Sequence, residues 1–470
     1  MNAIITRFAP SPTGNLHIGG IRTALINFII TQQAKKKYSE SKFLLRIEDT
    51  DKKRSNNEFK ENIINGLKWL GIIHDNEIYI QSERLKRHQE VAYNLLNKKK
   101  AFKCICTLET LKKKREENQK NKVNHKKLCE TCEEDNKIQS LMEGYTIRIK
   151  IPQIKATSIN DLIQGNLKIQ NKEIDNFILL RKDGSPTYML SVVVDDFDMG
   201  VNLIIRGDDH LNNAFRQYYI YHNLNWSIPQ YAHIPLIYGE DGKKLSKRHG
   251  AVDIGELKCQ GYLKDSIINN LILLGWAPPN SNEIITINEI IKLFDIKKIS
   301  KSSSIFNYDK LNFFNNYFIN EDKDFQNLFN YLQDNDILNN YSNNDIHKFK
   351  RLFFVYKKNL NFYKDLENIC PVYFDENFIT NKNKILDETF NKLIKDFSLL
   401  LQKIDKWEKE FLERQIEHFI NIKKIKFVKL GKPLRFVMIN SENGPSITDI
   451  LFILGKKDSI LRIKNYIKHI

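Results

Sequence analysis

Short apolar runs that end in charge dominate roughly the first 250 residues, and helical spacing dominates the remainder. Ile4-Ile5 leads to Arg7, Phe43 to Ile47 leads to Glu48-Asp49-Thr50-Asp51, Leu190 to Val194 leads to Asp195-Asp196, and Val201 to Ile205 leads to Arg206-Gly207-Asp208-Asp209-His210. Each run reads as a buried strand with polar residues at its carboxyl end, the edge where open α/β sheets receive ligands. Between them, Ile18 to Gln33 keeps Ile21, Ala24-Leu25 and Phe28-Ile29 near helical spacing, and Phe59 to Leu70 alternates as a helix. Residues 101–190 break the rhythm with a cysteine cluster, a charged insert and the strand-like run Tyr145 to Ile151; the lysine-rich stretch Asn118 to Lys127 reads as a solvated loop. From about residue 255 onward the periodicity is helical, with Phe397, Leu400, Leu401, Ile404, Trp407, Phe411 and Leu412 on one apolar stripe.

These elements predict an α/β sheet split by an insertion and followed by a helical C-terminal half. A length of 470 residues corresponds to two to four domains at roughly 100–200 residues each. Hydrophobic residues make up 41% and charged residues 28%, as suits a globular chain with a large core. The net charge of +17 and pI near 9.3 match a protein that meets polyanions. Lys, Asn and Ile enrich the whole chain, however, and this bias raises the pI without any nucleic acid, so charge alone leaves the partner open. Arg7 and the Pro10/Pro12 pair interrupt any apolar segment at the start, and no run of about 18 apolar residues exists. Neither a signal peptide nor a membrane span is therefore expected. Four of the six cysteines crowd between 104 and 132, which is no disulfide framework for a chain this long; a reducing, cytoplasmic setting is expected.

Two segments carry chemistry. Arg7 to Arg22, RFAPSPTGNLHIGGIR, joins the first strand to the first helix. A plain connection takes two to six residues; this one spends about a dozen on rigid and small ones, as a ligand pressed against backbone requires. Backbone N–H groups and the dipole at a helix N-terminus favour phosphates. His17 can donate there to a phosphate oxygen, and Gly19 removes a Cβ that would block a nucleobase, although a lone histidine is more often structural. The second segment is Lys243 to Gly250, KKLSKRHG, after the turn-forming Gly239-Glu240-Asp241-Gly242. Its cations suit a phosphate chain on which charge develops, whereas a basic run by itself is usually a solvated face.

RFAPSPTGNLHIGG together with KLSKR resembles the two signature segments of class I aminoacyl-tRNA synthetases, and more closely the bacterial-type glutamyl-tRNA synthetases. That subgroup also carries RTAL (Arg22 to Leu25), RIEDTD (Arg46 to Asp51), DGSPTY (Asp183 to Tyr188), VVDD (Val193 to Asp196), IRGDDH (Ile205 to His210), KLSKRHGA (Lys244 to Ala251) and GKPLR (Gly431 to Arg435). Gly20 stands where the wider class has a second histidine, and KLSKR replaces KMSKS, both usual in the subgroup. The resemblance implies a Rossmann-type parallel sheet split by an α+β insertion, then an all-helical C-terminal half. It divides the chain into a catalytic first half at 1–100, an insertion for the tRNA acceptor end at 101–190, and a catalytic second half at 191–250. A stem-contact region at 251–320 and an anticodon-binding region at 321–470 follow.

The resemblance further implies ATP with Mg²⁺ in a cradle of Pro10, Ser11, Pro12, Thr13, Gly14, His17, Gly19 and Gly20, closed by Lys244, Leu245, Ser246, Lys247 and Arg248. His17, Lys244 and Lys247 would act on the phosphates. L-Glutamate has two carboxylates and one ammonium, and Arg7 and Arg206 can each take a carboxylate bidentately. Glu48 can hold the ammonium, with Ser11 and Tyr188 as neutral partners; these positions match the family's pocket. The partners implied are tRNA(Glu) and, for a non-discriminating enzyme, also tRNA(Gln); a monomer is the family's habit. A non-catalytic tRNA-binding protein on a synthetase fold stays a rival. The length and the GKPLR segment disfavour the shortened paralogue that modifies a tRNA base.

Cys104-x-Cys106, 22 intervening residues and Cys129-x-x-Cys132 have knuckle-like spacing. Four thiolates saturate tetrahedral Zn²⁺, which predicts one closed structural site. Family members differ here, some using a Cys/His mixture and many lacking zinc. His125 is a possible substitute ligand but reads as solvated, and Cys259 and Cys370 read as core.

Overall fold

The computed structural model describes residues 3–51, 55–120, 129–152, 155–243, 245, 253–322, 325–334, 336–337, 345–375, 377–381 and 388–468. They fall into two units: Met1–Leu257 with Ile267–Tyr308, and Lys258–Ser266 with Asp309–Ile470.

In the first unit, β1 (Ile5–Phe8) runs through the Pro/Gly segment into α1 (Ile18–Lys35), followed by β2 (Lys42–Ile47), α2 (Asn57–Trp69), β3 (Tyr79–Ile80) and α3 (Leu85–Asn97). β1 pairs parallel with β2, and β2 with β3. Phe43, Leu44, Leu45 and Ile47 are all buried, the near-continuous apolar run of a strand covered on both faces. Next come β4 (Ala101–Cys104), α4 (Leu108–Lys120), α5 (Glu130–Glu134), α6 (Asn136–Ser140), β5 (Thr146–Ile149), β6 (Ala156–Asp161), β7 (Gly165–Gln170) and β8 (Ile178–Leu180). β4, β5 and β8 form their own antiparallel sheet.

The chain then returns through α7 (Tyr188–Asp198), β9 (Leu203–Gly207), α8 (Leu211–Leu224), β10 (Gln230–Ile234) and β11 (Ile237–Tyr238). β10 pairs parallel with β9 on one side and with β6 on the other, and β7 closes that edge antiparallel to β6. The two halves meet at the start of β1 and β9, where the Asn202 amide donates to the Ile5 carbonyl at 3.1 Å and its side chain accepts from the Ile5 amide at 2.9 Å. The expected parallel sheet split by an insertion is present.

Two expectations fail in this unit. Leu190 to Val194 is part of helix α7, not a strand. Every residue from Leu190 to Asp196 is buried, so the helix has no polar face and the 3.6-residue period that would reveal it is erased. Asn118 to Lys120 continues helix α4 instead of opening a loop; residues 121–128 lie outside the described residues, and His125 with them.

Past α9 (Ile254–Gln260), α10 (Lys264–Leu273), α11 (Ile287–Leu293) and the short β12 (Ser304–Ile305), which pairs with β11, the chain is helical: α12 (Tyr308–Glu321), α13 (Gln326–Asp334), α14 (Asp345–Tyr356), α15 (Asp365–Phe374), α16 (Glu388–Lys403), α17 (Lys409–Lys423), α18 (Phe427–Ile439) and α19 (Ile447–Ile467). The second unit has its own core, in which Phe349, Phe353, Phe397, Leu430 and Leu451 are fully buried. Each such side chain contributes about 1.5–3 kcal/mol through burial. The predicted apolar stripe is two helices, not one. It breaks between α16 and α17, where the Trp407 indole donates to the Leu451 carbonyl at 2.9 Å. Cys370 is buried as expected, but Cys259 is exposed near the end of α9, where the helix turns its polar side outward.

Candidate active site

A cleft of about 710 Å³ opens over the carboxyl ends of β1, β2 and β9. Its floor is the segment from Pro10 to Gly20. This loop is stitched to the end of β2 and the start of α2: the Pro10 carbonyl accepts from the Glu48 amide at 2.9 Å and the Pro12 carbonyl from the Asn56 amide, which caps α2, at 3.1 Å. Pro10, Ser11, Thr13, Gly14, His17, Gly19 and Gly20 line the cleft; Pro12 is buried and does not, so it shapes the loop from behind.

His17 caps α1. Its Nδ1 accepts from the Gly20 amide at 3.3 Å, which leaves the ring proton on Nε2. A Cβ at Gly19 would stand 3.3 Å from that ring, so glycine lets the imidazole fold over the first helical turn beside amides open to an anion.

Arg7, Arg206, Glu48 and Tyr188 also line the cleft. They do not enter it as equals. Arg7 Nε donates to Asp196 Oδ1 at 3.0 Å, and Arg46 Nη1 donates to the same oxygen at 2.6 Å. Arg46 Nη2 donates to Glu48 Oε1 at 3.1 Å. Two guanidiniums and two carboxylates thus balance in a buried square. Burial pushes the Asp196 carboxyl up, but Arg46 and then Arg7 outweigh it and hold the group below its ordinary value. For Glu48 burial wins over the same two arginines, and its carboxyl is raised.

Arg206, by contrast, has uncharged acceptors: His233 Nε2 at 3.1 Å, Gln217 Oε1 at 2.9 Å and the His210 carbonyl at 3.2 Å. Its positive charge is the less compensated of the two. The Tyr188 hydroxyl lies 3.2 Å from His210 Nδ1, and burial raises its pKa. Ser11 is exposed at the cleft mouth.

Arg46, Asp196, His210, His233 and Gln217 join the site without a role that the sequence pattern alone assigns them. Arg46, Asp196 and His210 stood inside quoted motifs, with the strand-end rule as their only signal. His233 and Gln217 carried none, because their roles depend on which strands and helices become neighbours.

Of the second signature, Leu245 lines the cleft and its amide donates to the Ile237 carbonyl at 3.1 Å. It follows a tight turn in which the Gly239 amide donates to the Lys243 carbonyl and Gly242 adopts φ +70°. Lys244, Ser246, Lys247 and Arg248 lie outside the described residues.

In the insertion, the Sγ atoms of Cys104, Cys106 and Cys132 lie within 4.8 Å of one another; Cys129, the fourth expected ligand, is buried in the adjoining apolar cluster and is not part of that close sulfur group. Zinc–sulfur bonds of about 2.3 Å place tetrahedral ligands about 3.8 Å apart, so the spacing of these three thiols suits part of a zinc donor set. No helix among the described residues is long and apolar enough to cross a membrane.

Comparison with known proteins matches this geometry to a family. Residues 3–313 match the model of the class I tRNA synthetase (E and Q) catalytic domain, and residues 325–467 that of an anticodon binding domain. The chain is 39% identical to Glutamate--tRNA ligase 2 of Zymomonas mobilis, covering 98% of this chain and 96% of that one. It is 39% identical to Glutamate--tRNA ligase 1 of Orientia tsutsugamushi, with 98% and 97% covered. A solved glutamate tRNA ligase from Elizabethkingia meningosepticum, in complex with its amino acid, superposes with a TM-score of 0.82 at 27% identity, 99% of each chain being covered.

Proposed function

The chain belongs to the class I tRNA synthetases of the glutamate and glutamine branch, and from that premise we propose how its cleft performs glutamate–tRNA ligation. One observation supports the reading most. A single cleft joins the amide-rich start of α1 to two arginines and a buried carboxylate at strand ends. That set complements a nucleotide phosphate chain beside an amino acid with two carboxylates.

ATP, with Mg²⁺ as the counter-ion of its phosphates, lies along Pro10 to Gly20, and His17 Nε2–H donates to a phosphate oxygen. Arg7 and Arg206 take the glutamate carboxylates, Glu48 holds the ammonium, and Ser11 and Tyr188 complete the pocket. An α-carboxylate oxygen attacks the α-phosphorus. The new O–P bond forms as the bond to pyrophosphate breaks, giving glutamyl-adenylate. Lys244 and Lys247, with Ser246 and Arg248, stabilise charge on the phosphates as it grows. A ribose hydroxyl of the 3′-terminal adenosine of tRNA then attacks the acyl carbon, and AMP departs. No enzyme nucleophile takes part; positioning and electrostatics supply the rate.

The insertion at 101–190 receives the acceptor end and the helical region beyond about 320 the anticodon. Cys104, Cys106, Cys129 and Cys132 hold one Zn²⁺ that braces the insertion and does no chemistry. The enzyme works as a cytoplasmic monomer. ATP–pyrophosphate exchange tests the reading: exchange is expected with glutamate and to require tRNA. Exchange without tRNA at full rate overturns the dependence, and no exchange under any condition overturns the activity. Running it with purified tRNA(Glu) and tRNA(Gln) separates a discriminating enzyme from one that charges both.

A further inference from the structure

Arg206 lines the cleft, and the groups that aim it stand beside it on the neighbouring strands. Its register partner across β9 and β10 is His233. Arg206 Nε–H donates to His233 Nε2 at 3.1 Å, and His233 Nδ1 lies 2.7 Å from Asp161 Oδ2. Asp161, at the end of β6, also accepts from the amides of Ile163, Gln164 and His233 at 2.9–3.2 Å. A carboxylate so placed takes a proton donor at Nδ1, which leaves the Nε2 lone pair for the arginine. Asp161 is 2% exposed, His233 1% and Arg206 5%, so water does not compete for these bonds.

The chemistry of the acceptor matters as much as its place. A carboxylate at His233 would neutralise Arg206 and compete with an anionic substrate. A neutral ring with the anion one bond further back fixes the guanidinium and leaves its charge for the cleft. Gln217 and the His210 carbonyl take one N–H each from Nη1 and Nη2. Among the described residues, the arginine's five N–H groups therefore find three acceptors, and the remaining two are one each on Nη1 and Nη2.

We propose that His233, keyed by Asp161, is a positioning residue for amino-acid binding: it holds Arg206 by Nε so that the Nη edge meets a substrate carboxylate. This rests on the reading of Arg206 as a carboxylate-holding group. The test is steady-state aminoacylation by the full chain, comparing His233→Leu, His233→Gln and Arg206→Gln. His233→Leu should raise the KM for glutamate at least about tenfold and leave the KM for ATP within about twofold, the split expected when one substrate's binding is lost. His233→Gln, whose Oε1 can still accept from Nε–H, should stay within about threefold of the wild type. Equal behaviour of the two His233 variants, or KM values for ATP and glutamate rising in step, overturns the proposal.

Arg206→Gln separates the two layers. If it leaves the glutamate KM unchanged, the reading of Arg206 itself fails; if it raises that KM while His233→Leu does not, only the positioning role fails. Should His233→Leu not fold, ¹⁵N-histidine NMR of the wild type decides. A protonated Nδ1 with an unprotonated Nε2 is expected at neutral pH, and the opposite tautomer or an imidazolium overturns the proposal.

Discussion

Replacing Asp196 by asparagine removes the anion that Arg7 and Arg46 share. Its Oδ1 stands 3.0 Å from Arg7 Nε and 2.6 Å from Arg46 Nη1. At an effective dielectric of about 20, each attraction is about 5–6 kcal/mol. Desolvation of three buried ions offsets most of that, and breaking such an arrangement costs about 3–5 kcal/mol net. For a unit of this size the melting temperature should fall on the order of 10 °C.

Asp198→Asn is the control. Asp198 bonds Arg84 and Arg87 where the side chains reach solvent, and its loss should cost about 1 kcal/mol or less. The acid dependence has a definite sign. Asp196 has a lowered native pKa, so its contribution is fully present above the unfolded value of about 4 and is lost as pH falls through the native one. Thermal melts from pH 7 down to pH 2 should show the wild type and Asp196→Asn converging at the acid end. A loss at pH 7 no larger than that of Asp198→Asn would refute the reasoning.

Glutamate binding should weaken as pH falls through the raised pKa of Glu48, so the acid limb of kcat/KM for glutamate should lie above the ordinary value of about 4.3. Glu48→Gln should lower the profile and remove that limb; an unchanged limb would assign it to another group. Arg7→Gln or Arg206→Gln should narrow the glutamate-to-glutamine ratio of kcat/KM by at least about tenfold, a loss of about 1.4 kcal/mol. The neutral acceptors around Arg206 make it the favoured one, and two unchanged ratios would end the two-arginine account of specificity. Elemental analysis of protein purified without chelator should find about one zinc per chain. Cys129→Ser should loosen the insertion and harm tRNA charging while ATP binding stays intact; metal-free protein that melts normally would exclude the site. Affinity for tRNA should fall with salt at a log–log slope of about −0.7 to −0.9 per neutralised phosphate, and a flat dependence would make the +17 charge compositional.

The parts legible in the sequence were those encoded by neighbours in the chain. β1, the Pro/Gly loop and α1 follow from an apolar run, rigid residues and helical spacing in succession. β2 and β9 follow from apolar runs that stop at charge. The run at Leu190 to Val194 obeyed the same rule and misled, because a helix buried on every side shows no period and its β-branched valines imitate a strand. The break between α16 and α17 has no Gly or Pro to mark it, and the bond made there, from Trp407 to Leu451, reaches 44 positions on.

The cleft divides along the same line. That Arg7 and Arg206 stand near a ligand edge is written locally, by the strands they sit on. Whether either charge is available to a ligand is not. Arg7 meets its carboxylate at Asp196, 189 positions away, and the anion nearest the ring that holds Arg206 is Asp161, 72 positions from His233. In sequence the two arginines look alike, each a cation at the end of an apolar run. Tertiary packing makes them different: helix α7 places an acid directly against one, and the strand order places a neutral ring between the other and its acid. A charge count along the chain therefore finds the pocket, while the packing of α7 and the long-range register of β6, β9 and β10 decide which cation in it is left for the substrate.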